Sequence, residues 1–228
     1  GVQRVLYGEN QGDIRLSGLR SQGLTTYFDF TWGALHLPGL ALHVPGRHNA
    51  LNMAAALGMA LQAGAPPDAM PPAVAQYQGV LRRFQVLEDQ EKLVLVDDYA
   101  HHPTELRATL QALRAAYPQR RLVAAFQPHL YTRTRDFAPQ FAQALSLADE
   151  VVLTHIYPAR ELSIPHVSAW SIFQHFKTPH GQVVSLEELP HVLEDQVTAG
   201  DVVATLGAGD IDTQVAEIHQ RLTRSLAL

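Results

Sequence analysis

Two patterns of apolar and polar residues follow one another along the chain. Residues 1–45 carry short apolar runs separated by glycine and proline, such as TTYFDF and GALHLPG, and this pattern predicts β-strands joined by tight turns. The stretch GRHNALNMAAALGMALQAG then places apolar residues at helical spacing on nearly every side, which predicts a buried helix. After APPDAMPP a short helix is predicted to end near Tyr77, and Gly79 is the predicted domain boundary.

Residues 80–228 alternate more regularly. The runs RFQVLED and KLVLVDD are separated by a short polar link and predict a β-hairpin. The elements predicted after it are helix 104–116, strand 121–126, helix 136–147, strand 150–154, a helix near 168–176, strand 182–186, helix 187–197, strand 201–206 and a final helix carrying Ile211, Val215, Ile218 and Leu222. This order predicts a Rossmann-like α/β fold, with a mostly parallel sheet covered on both faces and one antiparallel strand from the hairpin.

The composition narrows the class of protein. At 228 residues, 46% of them hydrophobic and 17% charged, the chain is typical of a soluble globular protein with two domains. No apolar run approaches the roughly 20 residues that span a bilayer, so no membrane partner is expected. No signal peptide opens the sequence and cysteine is absent, which is compatible with the cytoplasmic location expected here. The net charge of −5 argues against a nucleic-acid partner, because such binding depends on clustered Lys and Arg.

The sequence offers no lysine-based cradle for phosphate. Its only lysines are Lys92 and Lys177, and neither follows a glycine. The P-loop pattern GxxxxGK[ST], in which backbone N–H groups and a lysine hold nucleotide phosphates, is therefore absent from this chain.

Polar residues are concentrated where the predicted strands end. DDYAHHP, QPHLYTRTRD, HIYPARE and GAGD each follow a different predicted parallel strand. The carboxyl ends of parallel strands lie along one edge of an open α/β sheet, and ligands bind at that edge. Arg133, Arg135 and Arg160 in these clusters suit a carboxylate or a phosphate, because a guanidinium offers a planar fork to two oxygen atoms. The pattern predicts a ligand site at this edge.

The residues of DDYAHHP also have a purely structural interpretation. In it, Asp97 and Asp98 cap the following helix, while His101 and His102 bond loop carbonyl groups. A zinc site on the two histidines is not favoured because adjacent side chains diverge, and no metal site is predicted.

Other motifs have structural alternatives as well. Asn49 is a candidate helix N-cap, with Asn52 in the first turn of that helix. Arg82, Arg83 and the RTRD run are candidates for exposed surface charge. The glycines of GAGD either let backbone approach a ligand or only turn the chain.

Six motifs taken together are more specific than any one of them. They are GRHNALNMAAALGMA, RRFQVL, DDYAHHPTE, FQPHLYTRTRDF, YPARE and GDVVATLGAGDI, and in this order and spacing they resemble the Mur ligase family. The resemblance extends over essentially the whole chain, whereas the chain covers only about half of the family pattern. It implies that residues 1–79 are the last part of a central ATP-binding α/β domain and that residues 80–228 are the C-terminal domain.

The resemblance implies nucleotide-binding roles for five residues. Asn49 and Asn52 match asparagines that read adenine, for which an amide has a suitable donor and acceptor. Arg83 matches an arginine that reaches the nucleotide. Asp98 and His101 match a pair that contacts the ribose and the phosphate side of ATP.

A second group of residues matches positions at the substrate. Tyr99, His129 and Arg133 match residues that hold the incoming amino acid and the muramoyl end, and Arg133 is the predicted fork for the carboxylate of the amino acid. Leu130 departs from the pattern, since many relatives have arginine at this position. The resemblance therefore implies one guanidinium fewer near the substrate.

The implied activity is a ligation that depends on ATP and Mg²⁺ and joins L-alanine to UDP-N-acetylmuramate through an acyl phosphate, in peptidoglycan synthesis. The magnesium ligands belong mostly to the part of the pattern that this chain lacks, so the chain alone is predicted not to turn over. Three alternatives stay open: a murein peptide ligase that attaches a recycled tripeptide to the same nucleotide, a nucleotide-binding module without catalysis, and a zinc hydrolase built on His101, His102 and His129. The QPHLYTRTRD run favours the reaction with L-alanine over the one with the tripeptide.

Overall fold

The computed structural model describes residues 4–176 and 181–228, and the chain forms two compact units, Gly1–Gly79 and Val80–Leu228. The first unit contains a four-stranded sheet and two helices. Its elements are β1 (Tyr7–Glu9), β2 (Ile14–Gln22), β3 (Thr25–Trp32), β4 (Leu35–Leu42), α1 (Arg47–Gln62), a 3₁₀ turn (Pro67–Ala69) and α2 (Met70–Gln76). The strands lie in the order β1-β2-β3-β4, with β1 parallel to β2 and the other pairs antiparallel. Period-two alternation places Thr26, Phe28 and Phe30 of β3 on the buried face.

Helix α1 packs on this sheet along one stripe only. Its buried residues are Ala50, Ala54, Leu57 and Gly58. Gly58 lies so close to β2 that a Cβ atom there would come within 2.3 Å of Ile14 Cδ1. Met59 is 75% exposed, so the expectation of a helix buried on nearly every side is wrong for this unit. One sheet face covers one stripe of a helix, and the described part of the unit leaves the other apolar stripe accessible.

The second unit is an α/β domain around a six-stranded sheet. Its elements are β5 (Gln85–Asp89), β6 (Leu93–Asp98), α3 (Pro103–Ala116), β7 (Leu122–Phe126), α4 (Tyr131–Leu145), β8 (Glu150–Thr154), α5 (Trp170–Phe173), β9 (Gly181–Val184), α6 (Leu189–Gln196), β10 (Asp201–Leu206) and α7 (Asp212–Ser225). The strand order is β5-β6-β10-β7-β8-β9. Every pair is parallel except β5 with β6, so the predicted fold class is confirmed.

Two helices differ in extent from the prediction. Helix α4 begins at Tyr131, five residues before the predicted start at 136, because the N–H of Thr134 already bonds the carbonyl of Leu130 at 3.0 Å. Residues 131–135, which the prediction left outside the helix, therefore form its first turn. Helix α5 covers only Trp170–Phe173 of the predicted 168–176 segment.

Helices cover both faces of the sheet. The side chains of Leu93, Leu95 and Val203 pack with α6 and α7 in one buried cluster. On the opposite face, Phe126 of β7 lies 5.3 Å from Phe141 of α4 between ring centroids. Strands β6, β10 and β7 are buried along their whole length, as expected for parallel strands between two helical layers. Within the described residues, none of the helices combines the length and the apolar character needed to cross a membrane.

Candidate functional site

The four polar clusters meet at the carboxyl edge of the six-stranded sheet, as predicted. Strand β10 lies between β6 and β7, so the loop that begins at Gly207 is inserted between the loops after Asp98 and after Phe126. The Gly207 N–H donates to the Asp98 carbonyl at 3.0 Å, and the Gln127 N–H donates to the Leu206 carbonyl at 3.0 Å. The β8 loop joins on the far side through a parallel bridge between His129 and Tyr157.

Asp98 fixes the first of these loops. Its Oδ1 accepts from the Ala100 N–H at 3.0 Å, and its Oδ2 accepts from the Thr109 hydroxyl at 2.6 Å. Burial raises the pKa of the Asp98 carboxyl, and the bonds from Thr109 and Ala100 work in the opposite direction because they favour the charged form. The carboxylate therefore ties the end of β6 to α3 and shapes the turn that presents the next residues.

The cap of α3 is His102, so the alternative in which Asp97 and Asp98 cap this helix is wrong. The His102 side chain accepts from the Thr104 N–H, and the Glu105 carboxylate accepts from the His102 N–H at 3.1 Å, which completes a capping box. Glu105 also accepts from the His101 N–H at 2.9 Å. The burial of Glu105 is outweighed by these N–H bonds and by nearby His101 and Arg83, so the pKa of its carboxyl is lowered.

The two adjacent histidines diverge. His102 meets Phe137 edge-on, with 5.0 Å between ring centroids, whereas the His101 ring lies 5.9 Å from that of His129. His101 Nδ1 donates to the Tyr99 carbonyl at 2.9 Å, as the structural interpretation expected, since a carbonyl can only accept. In the neutral ring this leaves the lone pair of His101 Nε2 as an acceptor for a ligand.

Arg133 and His129 form a pair at the next loop. The Arg133 guanidinium donates to His129 Nδ1 at 3.2 Å. Because arginine can only donate, Nδ1 is the acceptor and the ring proton is on Nε2. The ring stacks on Tyr157 at 5.6 Å between centroids. Among the described residues no carboxylate forms an ion pair with Arg133, although the charge of Glu161 is near enough to interact with it, so its fork is available to an anion.

The pKa of His129 lies below its ordinary value of 6.5, mainly because of burial and then because of the positive charge of Arg133. We expect Arg133→Met to raise the pKa of His129 and Glu161→Gln to lower it further, because Glu161 opposes the shift. NMR titration of the His129 ring protons in each variant measures both directions, and a shift of the opposite sign in either variant contradicts the assigned pairing.

The same shift has a consequence for stability. Between 6.5 and the lower folded value, the unfolded chain binds a proton at His129 more readily than the folded chain. The contribution of His129 to the free energy of unfolding is therefore present above pH 6.5 and is lost as the pH falls through this window.

Sequence reasoning missed two residues that organise the edge. Glu161 of the YPARE motif accepts from the backbone N–H of Thr132 at 3.0 Å and from its hydroxyl, and so caps α4, whose N-cap residue Leu130 cannot do so. Gln127, 3% exposed, bonds the Ile211 N–H at 2.9 Å and Asp210 at 2.7 Å. The chain departs from ordinary backbone here, since Leu130 has φ +73°, and strain of this kind is concentrated at functional sites.

The remaining predicted residues separate into three groups. Arg83 is half-exposed, with its guanidinium 5.2 Å above the Tyr99 ring and 4.0 Å from Glu105. Arg135 pairs with Asp136 at 2.7 Å, and Arg160 is exposed, so neither is held at the site. Asn49 and Asn52 lie in the first unit; Gly46 is the N-cap of α1, so the capping alternative for Asn49 is wrong.

The fold is that of an open α/β domain with a mostly parallel sheet, a class in which ligands bind at the carboxyl edge of the strands, and arginine and histidine side chains lie at that edge here. Residues 82–209 match the Mur ligase family through the domain described as "Mur ligase, glutamate ligase domain". The chain belongs to the Mur ligase family.

Individual relatives agree with this assignment. The chain is 41% identical over 199 residues to UDP-N-acetylmuramate–L-alanine ligase of Flavobacterium johnsoniae. This alignment covers 87% of the chain and 44% of the relative. It is 42% identical to the protein of the same name from Halorhodospira halophila, over 96% of this chain and 47% of the relative. The crystal structure of UDP-N-acetylmuramate–alanine ligase from Thermotoga maritima matches with a TM-score of 0.82 and 29% identity, over 97% of this chain and 48% of that one. The chain thus spans about half the length of the relatives it matches.

Proposed function

We propose that this chain is the C-terminal half of an ATP-dependent ligase that joins L-alanine to UDP-N-acetylmuramate in peptidoglycan synthesis. The observation that carries the proposal is the Arg133–His129 pair at the sheet edge, in a chain about 40% identical to ligases named for these two substrates. Residues 1–79 are then the last part of the central ATP-binding domain, and a cytoplasmic location follows because ATP and the uridine nucleotide are found there.

The proposed chemistry has two steps. In the first step an oxygen of the muramate carboxylate bonds to the γ-phosphorus of ATP, the bond from that phosphorus to the β–γ bridging oxygen breaks, and ADP leaves, so that an acyl phosphate is formed. The amine of L-alanine then attacks the acyl carbon, so that a C–N bond forms, the C–O bond to phosphate breaks, and inorganic phosphate leaves while the amine loses a proton. An acyl phosphate is easily hydrolysed, which explains the value of a closed, water-poor site.

Arg133 and His129 act on the acceptor side of this reaction. The free fork of Arg133 suits the carboxylate of L-alanine and orients its amine. His129 is neutral near pH 7, and its Nε2–H is a donor for an oxygen of the muramoyl end rather than a base. Tyr99 is assigned to the acceptor side by the family resemblance alone, and its backbone is held between Arg82 and His101.

Arg83, Asp98, His101, Asn49 and Asn52 are assigned to the nucleotide. The half-exposed guanidinium of Arg83 has donors left for phosphate oxygens, which fits this role. Asp98 is 5% exposed and already accepts two bonds, so it serves ATP chiefly by holding the loop of His101. Mg²⁺ supplies charge neutralisation at the phosphates when it is bound, and the residues described here contribute no cluster of three metal-binding side chains for it.

Leu130 distinguishes this chain from relatives with arginine at that position. A leucine cannot bind a carboxylate, so in this proposal Arg133 is left to hold the amino acid by itself. This makes the reaction more sensitive to the loss of Arg133.

The test is phosphate release by the intact gene product that contains this chain, with MgATP, UDP-N-acetylmuramate, and either L-alanine or the recycled tripeptide as acceptor. Release that depends on L-alanine is the expected result. Release with the tripeptide alone reassigns the substrate to that of a murein peptide ligase, and release with neither favours a nucleotide-binding module. Stoichiometric zinc in elemental analysis would be required by the hydrolase alternative.

A further inference from the structure

The two adjacent arginines of the RRF motif have different surroundings. Arg83 is half-exposed, whereas the Arg82 side chain is 22% exposed and is held on three sides. The structural alternative that placed both arginines on the surface is therefore wrong for Arg82.

The Arg82 guanidinium connects three elements at the carboxyl edge of the sheet. Its Nε donates to Asp97 at the end of β6 at 3.2 Å, and one terminal nitrogen donates to the Gly207 carbonyl after β10 at 2.8 Å. The other terminal nitrogen donates to Asp212 at the start of α7 at 3.0 Å. Asp97 is itself buried and held by the Thr205 hydroxyl at 2.7 Å, so this anchor is rigid.

The backbone of Arg82 is fixed as firmly as its side chain. Its carbonyl accepts from the Tyr99 N–H at 2.7 Å, and its N–H donates to the Gln85 side chain at 2.9 Å. Arg82 and Phe84 both have positive φ, at +58° and +49°, which costs energy for residues with a Cβ atom. The two unusual backbone positions on either side of Arg83 fix the direction in which its side chain leaves the chain.

The guanidinium groups of both arginines lie over the ring of Tyr99. The guanidinium carbon of Arg82 lies 5.1 Å from the centre of the Tyr99 ring, and that of Arg83 lies 5.2 Å from it. Arg82 thus holds Tyr99 both through the backbone and through a cation–π contact.

We propose that Arg82 is a positioning residue: it does not bind the nucleotide, but braces residues 81–84 against β6, β10 and α7 so that Arg83 and Tyr99 are presented to the ligands. This inference rests on the proposed function for the identity of those ligands. A lysine at position 82 keeps the charge but has no planar fork, so it cannot reach three acceptors in different directions.

The chain contains a matched control at the opposite edge of the same sheet. Arg120 donates to the carbonyls of Gly200, Gln90 and Asp201, and its guanidinium carbon lies 5.3 Å from the centre of the Tyr117 ring. Like Arg82, it donates to three acceptors and contacts a tyrosine ring, although its acceptors are carbonyls where two of those of Arg82 are carboxylates, and it lies before β7, away from the ligand edge. Arg120→Lys therefore reports the structural cost of removing such a brace without any effect on ligand binding.

The experiment compares Arg82→Lys with Arg120→Lys in the intact gene product. We expect both variants to lower Tm, but only Arg82→Lys to raise KM for MgATP, by about tenfold, because misplacement of a binding group weakens binding steeply. An equal KM for MgATP in the two variants overturns the proposal. Hydrogen exchange of the Tyr99 amide provides a measurement that does not need turnover: we expect it to become about tenfold faster in Arg82→Lys and to stay unchanged in Arg120→Lys.

These measurements separate the inference from the proposed function. If the wild-type protein releases no phosphate with any acceptor, the proposed function fails, and the hydrogen-exchange comparison still tests the brace. Equal exchange of the Tyr99 amide in the two variants overturns the brace whatever the reaction is.

Discussion

Arg133→Ala is expected to lower kcat/KM for L-alanine by about 100-fold, which corresponds to about 2.7 kcal/mol of lost transition-state stabilisation. The guanidinium is the charged fork at the acceptor side of the site, and among the described residues it has only His129 as a hydrogen-bond partner. Its loss removes a bidentate interaction with a carboxylate and also the donor that fixes the tautomer of His129. Leu130 offers no substitute, so a second side chain does not compensate.

Steady-state kinetics on the intact gene product measure this effect with L-alanine and with MgATP varied separately. We expect KM for MgATP to change by less than about twofold, since the effect is confined to the acceptor side. Arg107→Ala is the matched control, because Arg107 bonds Gln143 between α3 and α4 at 3.0 Å and takes no part in the site. A loss in Arg133→Ala no larger than in Arg107→Ala contradicts the assigned role of Arg133.

The 228-residue chain by itself is expected to release phosphate at least about 1,000-fold more slowly than the intact gene product. Transfer of the γ-phosphoryl group requires backbone donors, a lysine and Mg²⁺ arranged around the phosphates. Neither of the two lysines of this chain stands in a P-loop pattern, and the residues proposed for ATP are assigned to its adenine, its ribose and its phosphate side, without a P-loop among them.

The isolated chain has to be shown to be folded before its inactivity is informative. A cooperative unfolding transition together with native circular dichroism provides this, and adding the chain to the intact protein shows whether the preparation contains an inhibitor. If the folded chain turns over and this turnover depends on both ATP and L-alanine, then the reaction does not require a P-loop. That result would contradict the proposed mechanism.

The fold was predictable from local patterns to a large extent. The alternation of strand and helix in residues 80–228 follows from periodicity in each segment, and all the strands predicted there are present. The start of α4 was predicted five residues too late because Tyr131, Thr132 and Arg133 have polar side chains in the first turn, where a helix makes few internal bonds. A cap supplied by Glu161 from another loop is not visible in the local sequence.

The candidate site was predictable in its composition but less so in the roles of its members. The clusters that follow strands identified His129, Arg133, Asp98 and His101 as members of one edge. Only the family resemblance separated Arg83 from Arg82, and the structural alternative placed the cap of α3 on the aspartates rather than on His102. Glu105 stands four residues after His101, and this helical spacing was the signal that would have indicated their contact.

The sequence by itself determined which segments become strands and helices and which polar residues lie at strand ends, because side-chain periodicity of 2 or 3.6 is a local property. Only the tertiary structure decided that β10, the last strand, lies between β6 and β7 and brings Gly207 beside Asp98. It also decided that Arg82 is braced while Arg83 is half-exposed, and that His129 carries its proton on Nε2. Strand order and hydrogen-bond direction depend on the summed packing of elements far apart in the chain, and no local pattern records that sum.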